Sequence, residues 1–257
     1  MKRFGIMILF VLVLSTLPVF ADTVQLLFTG VTGYNSGGVY TYPYNFTVTD
    51  GSSVSTNVPL MCNSYTNDIN FNESWSANIH AITQAGTLGL WAGQTLTFGN
   101  TLYNSQAAYD AAGLIFMAGQ GLGPLVSQNI TLPNGLANWA IWNIFYPGLS
   151  GPFAPPYTQS QLDTLELQAL TYVQNNTNAT LNSLLGGIVV YTPVAGSQGS
   201  NPLPQELVGD LLPGVISTPV INSPSPVVTT TPELSSLWLM GSGLLGLGGF
   251  ARRRFLQ

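Results

Sequence analysis

Between Asp22 and Thr231 the chain carries no lysine and no arginine. All five basic residues, Lys2, Arg3, Arg252, Arg253 and Arg254, stand at its two extremes, while nine of its ten acids lie within that Asp22–Thr231 stretch. A body with that charge pattern cannot build Lys or Arg ion pairs. Apolar burial and neutral hydrogen bonds must hold it together instead. The material is there: 46% of residues are apolar and 11% aromatic, but only 6% are charged, where about 25% is usual.

The same pattern removes whole classes of function. Nucleic-acid binding needs cationic side chains to displace the counterions around phosphate, so no nucleic acid is expected as a partner. Phosphoryl transfer lacks its cation, and no GxxxxGK[ST] loop occurs. The GxGxxG of Gly241 to Gly246 sits in an apolar run with no strand before it, and is not read as a dinucleotide site. His80, the sole histidine, is read as an exposed strand residue, because one imidazole without nearby Cys or carboxylates makes no metal site. Neither metal nor cofactor is expected. Asp163 and Glu166 are read as a solvated acidic face near a helix N-terminus, favoured there by the helix dipole.

Both ends read as addresses. Lys2 and Arg3 precede an apolar run of eleven residues from Phe4 to Leu14, followed by the small residues Val19 and Ala21. That is the form of a secretory signal peptide over residues 1–21, with signal peptidase as a partner and a mature start at Asp22. At the other end, Leu234 to Ala251 is an uncharged run of eighteen residues followed at once by three arginines. The run is long enough for a transmembrane helix, and arginines at its edge stay cytoplasmic, which puts the body outside. Pro232, Glu233 and Leu234, the apolar span, and Arg252, Arg253 and Arg254 together resemble the PEP-CTERM sorting signal of bacterial envelope proteins. In that family a Pro-Glu-Pro tripeptide precedes the span, and an exosortase processes the tail. This chain has Leu234 in place of the second proline. The resemblance implies an exosortase-like processing partner and spans residues 232–257.

The body begins strand-like. Thr23 to Thr29 and Gly38 to Asp50 are rich in Val, Thr, Tyr and Phe, and Asp50-Gly51 marks a hairpin turn. Val58 to Tyr65 and Glu73 to Thr83 predict further strands, with Trp75, Ala77, Ile79 and Ala81 on one face and His80 on the other. Helices are predicted from Ser105 to Met117 behind an Asn104 cap and from Gly135 to Phe145 behind an Asn134 cap. A third follows the Thr158/Gln161 capping box. Gly187 to Tyr191 predicts a returning buried strand. The expected fold is therefore α+β: an antiparallel sheet or barrel, about three helices and a returning strand over residues 22–191. Seven prolines between Thr192 and Thr231 predict a disordered linker at 192–231.

Cys62 is the only cysteine of a chain expected to be exported, so it forms no internal disulfide. Its default role is that of a small buried hydrophobe. Met61-Cys62-Asn63 in an early strand, Tyr109 to Phe116, and Asn138-Trp139-Ala140-Ile141-Trp142 together resemble the thioester domains of bacterial surface proteins. There a Cys and a Gln shortly before Ala-Ile-Trp condense to an internal thioester that captures amines. The resemblance implies Cys62 and Asn138 as the candidate pair, with Asn138 one methylene shorter than the family's Gln. Taken together, the sequence predicts an exported envelope or extracellular-matrix protein, structural or adhesive and without catalytic residues, with exopolysaccharide as a candidate partner. A covalent thioester adhesin is the second reading. A secreted carbohydrate hydrolase, with carboxylates brought together by the fold, is the third.

Overall fold

The computed structural model describes residues 23–33, 35–126, 133–149, 157–197 and 204–212. Six strands close a barrel in the order β1-β4-β5-β10-β9-β6, every neighbouring pair antiparallel. They are β1 (Thr23–Val31), β4 (Tyr44–Asp50), β5 (Ser53–Cys62), β6 (Ser74–Ala81), β9 (Ile188–Pro193) and β10 (Leu207–Asp210). The residues between β1 and β4 hold a small pair, β2 (Asn35–Ser36) and β3 (Val39–Tyr40).

Alternation sets the inward face. Val24, Leu26 and Phe28 of β1, Tyr44, Phe46 and Val48 of β4, and Trp75, Ala77 and Ile79 of β6 are all buried at spacing two. Phe46 stands edge-on to Trp75 at 5.6 Å in the barrel interior. The Asp50-Gly51 turn forms as expected, with Gly51 at φ +53°.

The sixth strand corrects the expected boundary at residue 191. Thr192 and Pro193 belong to β9, and Leu207 to Asp210 insert between β5 and β9. Proline and glycine set the linker-like composition there, but Leu207, Val208 and Gly209 are buried. A Cβ on Gly209 would stand 2.3 Å from Leu60, so this strand position takes glycine for close approach.

The helices form a second layer. After a 3₁₀ turn (Ile82–Gln84), α1 (Ala85–Leu88) leads to a hairpin of β7 (Thr95–Phe98) and β8 (Thr101–Asn104). Then come α2 (Ser105–Gly119), α3 (Asn134–Phe145), α4 (Gln159–Asn175) and α5 (Asn178–Leu185). Helix α2 is the hub and packs on each of the other helices. Asn104 caps it, accepting from Ala107 N at 2.8 Å, and the Thr158/Gln161 box caps α4, both as expected. Pro133, not Asn134, holds the N-cap position of α3, and Asn134 is already helical. Helix α5, unexpected from the sequence, is capped by Thr177. From Gly135 to Phe145 every residue of α3 is buried, because other elements flank it on all sides.

No helix among the described residues is long and apolar enough to cross a membrane. The expected signal peptide, the 234–251 span, Pro232, Glu233, Leu234, Arg252, Arg253 and Arg254 lie outside the described residues.

Candidate functional site

Cys62 ends β5, paired with Leu207 of β10, and α3 lays Asn138 against it. Both residues are fully buried. The Asn138 carboxamide is bonded at both ends: Nδ2 donates to the Cys62 backbone oxygen at 2.9 Å, and Oδ1 accepts from Tyr42 N at 2.8 Å. The amide thus ties a helix to a barrel strand and to the loop entering β4. The fold brings the two sequence-predicted residues together through the cysteine's carbonyl.

The sulfur has its own partners. Sγ accepts from Ser64 N at 3.3 Å and donates to Ser64 O at 3.4 Å. Burial pushes the Cys62 thiol up to about 12, and the nearby Glu206 carboxyl adds to the rise. The Trp142 indole pulls the other way, although its N–H makes no hydrogen bond of ordinary geometry, so burial prevails. Tyr65 packs on Trp139 and Trp142 at 5.6 and 5.3 Å, covering this corner with aromatic surface. A thiol so placed stays protonated and unreactive at neutral pH.

Beside it lies a group that sequence reasoning missed. Glu206, fully buried, accepts four hydrogen bonds. Oε1 takes Tyr109 Oη at 2.6 Å and Asn63 Nδ2 at 2.7 Å; Oε2 takes Leu90 N at 2.7 Å and Thr192 Oγ1 at 2.6 Å. Desolvation still raises its pKa, opposed by those donors. The donors come from four separate parts of the fold, so one carboxyl fastens the start of β10 to α2, β5, β9 and the turn after α1. Gly89 permits the approach: a Cβ there would meet the Tyr109 hydroxyl at 2.3 Å.

Two expectations need correction. His80 faces away from Trp75 and Ile79, as the alternation required, but it is only 7% exposed. The chain folds back after β6 and α1 packs over that strand, so desolvation lowers the imidazole pKa and keeps it neutral. Glu166 is not part of a solvated face. It is buried beneath Asn143, whose Nδ2 donates to both carboxyl oxygens at 2.8 and 3.0 Å, and burial raises it to about 8. Asp110 of α2 is likewise buried, bonded to Gln106 Nε2 at 2.8 Å and raised by desolvation to about 7. No cluster of three His, Cys, Asp or Glu residues that could hold a metal occurs among the described residues.

No protein-family model and no curated protein matches the sequence. Among solved structures, the chain is similar to the N-terminal thioester domain of a surface protein from Clostridium perfringens. That likeness has a TM-score of 0.41 and 14% identity, covering 73% of this chain and 97% of that one. It is also similar to the N-terminal domain of the Streptococcus pyogenes pilus tip adhesin Cpa, at TM-score 0.36 and 14% identity, covering 76% and 96%. At that level of likeness no residue's role is transferred.

Proposed function

We propose that this chain is an exported bacterial envelope or extracellular-matrix protein whose body serves a structural or adhesive role without catalysis. One observation carries the non-catalytic part: both ends of the Asn138 carboxamide are spent on backbone partners, Cys62 O and Tyr42 N. An amide bonded this way acts as a bracket, and the neighbouring thiol is protonated by its burial. The export signal and the PEP-CTERM-like tail support the location, with signal peptidase and an exosortase-like enzyme as processing partners.

A second reading draws on the same contact. Asn138 reaches the cysteine residue itself, so condensation is the alternative use of the pair. Attack of the Cys62 sulfur on the Asn138 carboxamide carbon would form the S–C bond and break the C–N bond. The thiol proton would leave with the amide nitrogen as ammonia. The product would be a covalent adhesin.

Thermal unfolding of two variants separates the readings. In the bracket reading, Asn138→Ala leaves a buried N–H and a buried carbonyl unpaired and costs about 2–4 kcal/mol. Cys62→Ala loses sulfur packing and the two long bonds to the Ser64 backbone, a smaller cost of about 1–2 kcal/mol. In the thioester reading Cys62→Ala removes the cross-link as well, so its cost would rise to match or approach that of Asn138→Ala. Equal losses would overturn the bracket.

A further inference from the structure

Away from Cys62, a groove of about 480 Å³ runs between the β7–β8 turn, the end of α3 and the first half of α4. That volume is within the usual range for small-ligand sites. We infer that this groove binds a neutral saccharide unit, by stacking on Phe98 and hydrogen bonding to Asp163 and Thr164. The inference stands apart from the chemistry of the Cys62 pair.

The walls carry the argument. Phe98 is half-buried, so its ring is held in place, and Leu167 lies 52% exposed beside the groove. Pro147 and Thr97 complete the two sides. The polar groups are set on α4. Asp163 Oδ1 accepts from Gln159 Nε2 at 2.7 Å, which orients a carboxylate that retains capacity for further donors. The Thr164 hydroxyl donates to Ser160 O, so its oxygen is left as an acceptor. The floor is rigid, because Asn143 is fixed by Glu166 on one side and by Gly148 N at 3.1 Å on the other.

Ligand classes sort against those walls. An anion would face Asp163 with no cation to compensate, since the body contains no Lys or Arg. A purely apolar ligand would strip water from Asp163 and Thr164 without replacing their hydrogen bonds. A pyranose ring offers a C–H face for Phe98 and hydroxyl donors for the carboxylate, which makes the stronger, charge-assisted bonds. Hydrolysis needs two carboxyl groups flanking the bond. Asp163 is the one carboxylate among the described residues lining the groove, and Glu166 of the same helix is buried behind Asn143. The groove is therefore a binding site and not a hydrolytic one.

The test is titration of the exported full chain, by calorimetry or chemical-shift mapping. The probes are short oligomers of glucose, of galactose and of N-acetylglucosamine up to millimolar concentration, with an oligogalacturonate as the acidic control. Saturable binding of at least one neutral oligomer is expected, and none of the acidic one. Asp163→Ala and Phe98→Ala should each weaken it about tenfold or more. Cys62→Ala should leave it unchanged. Asp163 is exposed on its helix, so that variant remains informative if loss of Phe98 disturbs folding. Absence of binding by every neutral oligomer, equal binding of the acidic one, or retained affinity in Asp163→Ala would each overturn the inference.

Discussion

Glu206→Ala is expected to destabilise the body by about 3–5 kcal/mol, enough to leave much of a marginally stable domain unfolded at 37 °C. The carboxyl accepts from Tyr109, Asn63, Leu90 and Thr192, and alanine would strand all four donors around a cavity. Hydroxyls can rotate toward other acceptors, but the Leu90 N–H and the Asn63 amide are fixed donors, one to each oxygen. Glu206→Gln keeps the shape yet points an NH₂ at one of them. It should cost about 1–3 kcal/mol. Chemical denaturation with linear extrapolation measures both. A Glu206→Ala loss under 1 kcal/mol would mean that β10 is held by its ladder bonds and side-chain burial alone.

Stability should rise as the pH falls from 8.5 to 6. In the folded chain Asp110 and Glu166 titrate at about 7 and about 8, raised by burial; in the unfolded chain they titrate near the ordinary values of about 4. Between those limits the folded state holds protons that the unfolded state has released, so each rise in pH lowers stability. The full penalty is present above the folded values and disappears below the unfolded ones. Glu206 acts in the same direction. His80, lowered by burial, acts oppositely once the pH drops below its ordinary value, so the gain flattens near pH 6. The expected gain from pH 8.5 to 6 is about 2–4 kcal/mol. Glu166→Gln together with Asp110→Asn should raise stability at pH 8.5 and remove most of the slope. A melting temperature that instead climbs with pH would show that these carboxyls are ionised and well solvated.

Where local pattern governs, the sequence was readable. Alternation marked the inward face of β6 at Trp75, Ala77 and Ile79, composition marked β1 and β4 as strands, and Asn104, Thr158 and Gln161 marked two helix starts through bonds spanning only three residues. What it hid depends on partners distant along the chain. Glu206 meets Asn63 across 143 residues and Tyr109 across 97. Nothing local distinguishes that acid from its proline-rich surroundings. The same surroundings disguised β10, whose pairing with β5 and β9 is non-local on both sides. The burial of His80 and Glu166 was hidden for a related reason: strand and helix periodicity give a direction, while the element that covers that direction comes from elsewhere. Cys62 and Asn138, 76 residues apart, were joined through the resemblance to thioester domains, and in the fold the Asn138 amide bonds the Cys62 backbone oxygen. Their bonding pattern, with the amide on two backbone groups, was not legible in the motif.

The central claim is that the Cys62–Asn138 contact is a bracket and not a bond. The intact mass of the mature protein from its own cells, before and after methylamine, measures this directly. The account predicts a start at Asp22, a mass with no ammonia missing, no methylamine adduct, and a Cys62 that accepts a thiol reagent only after denaturation. A mass short by one ammonia that gains methylamine, with both effects abolished in Cys62→Ala, would contradict it and make the protein a covalent adhesin.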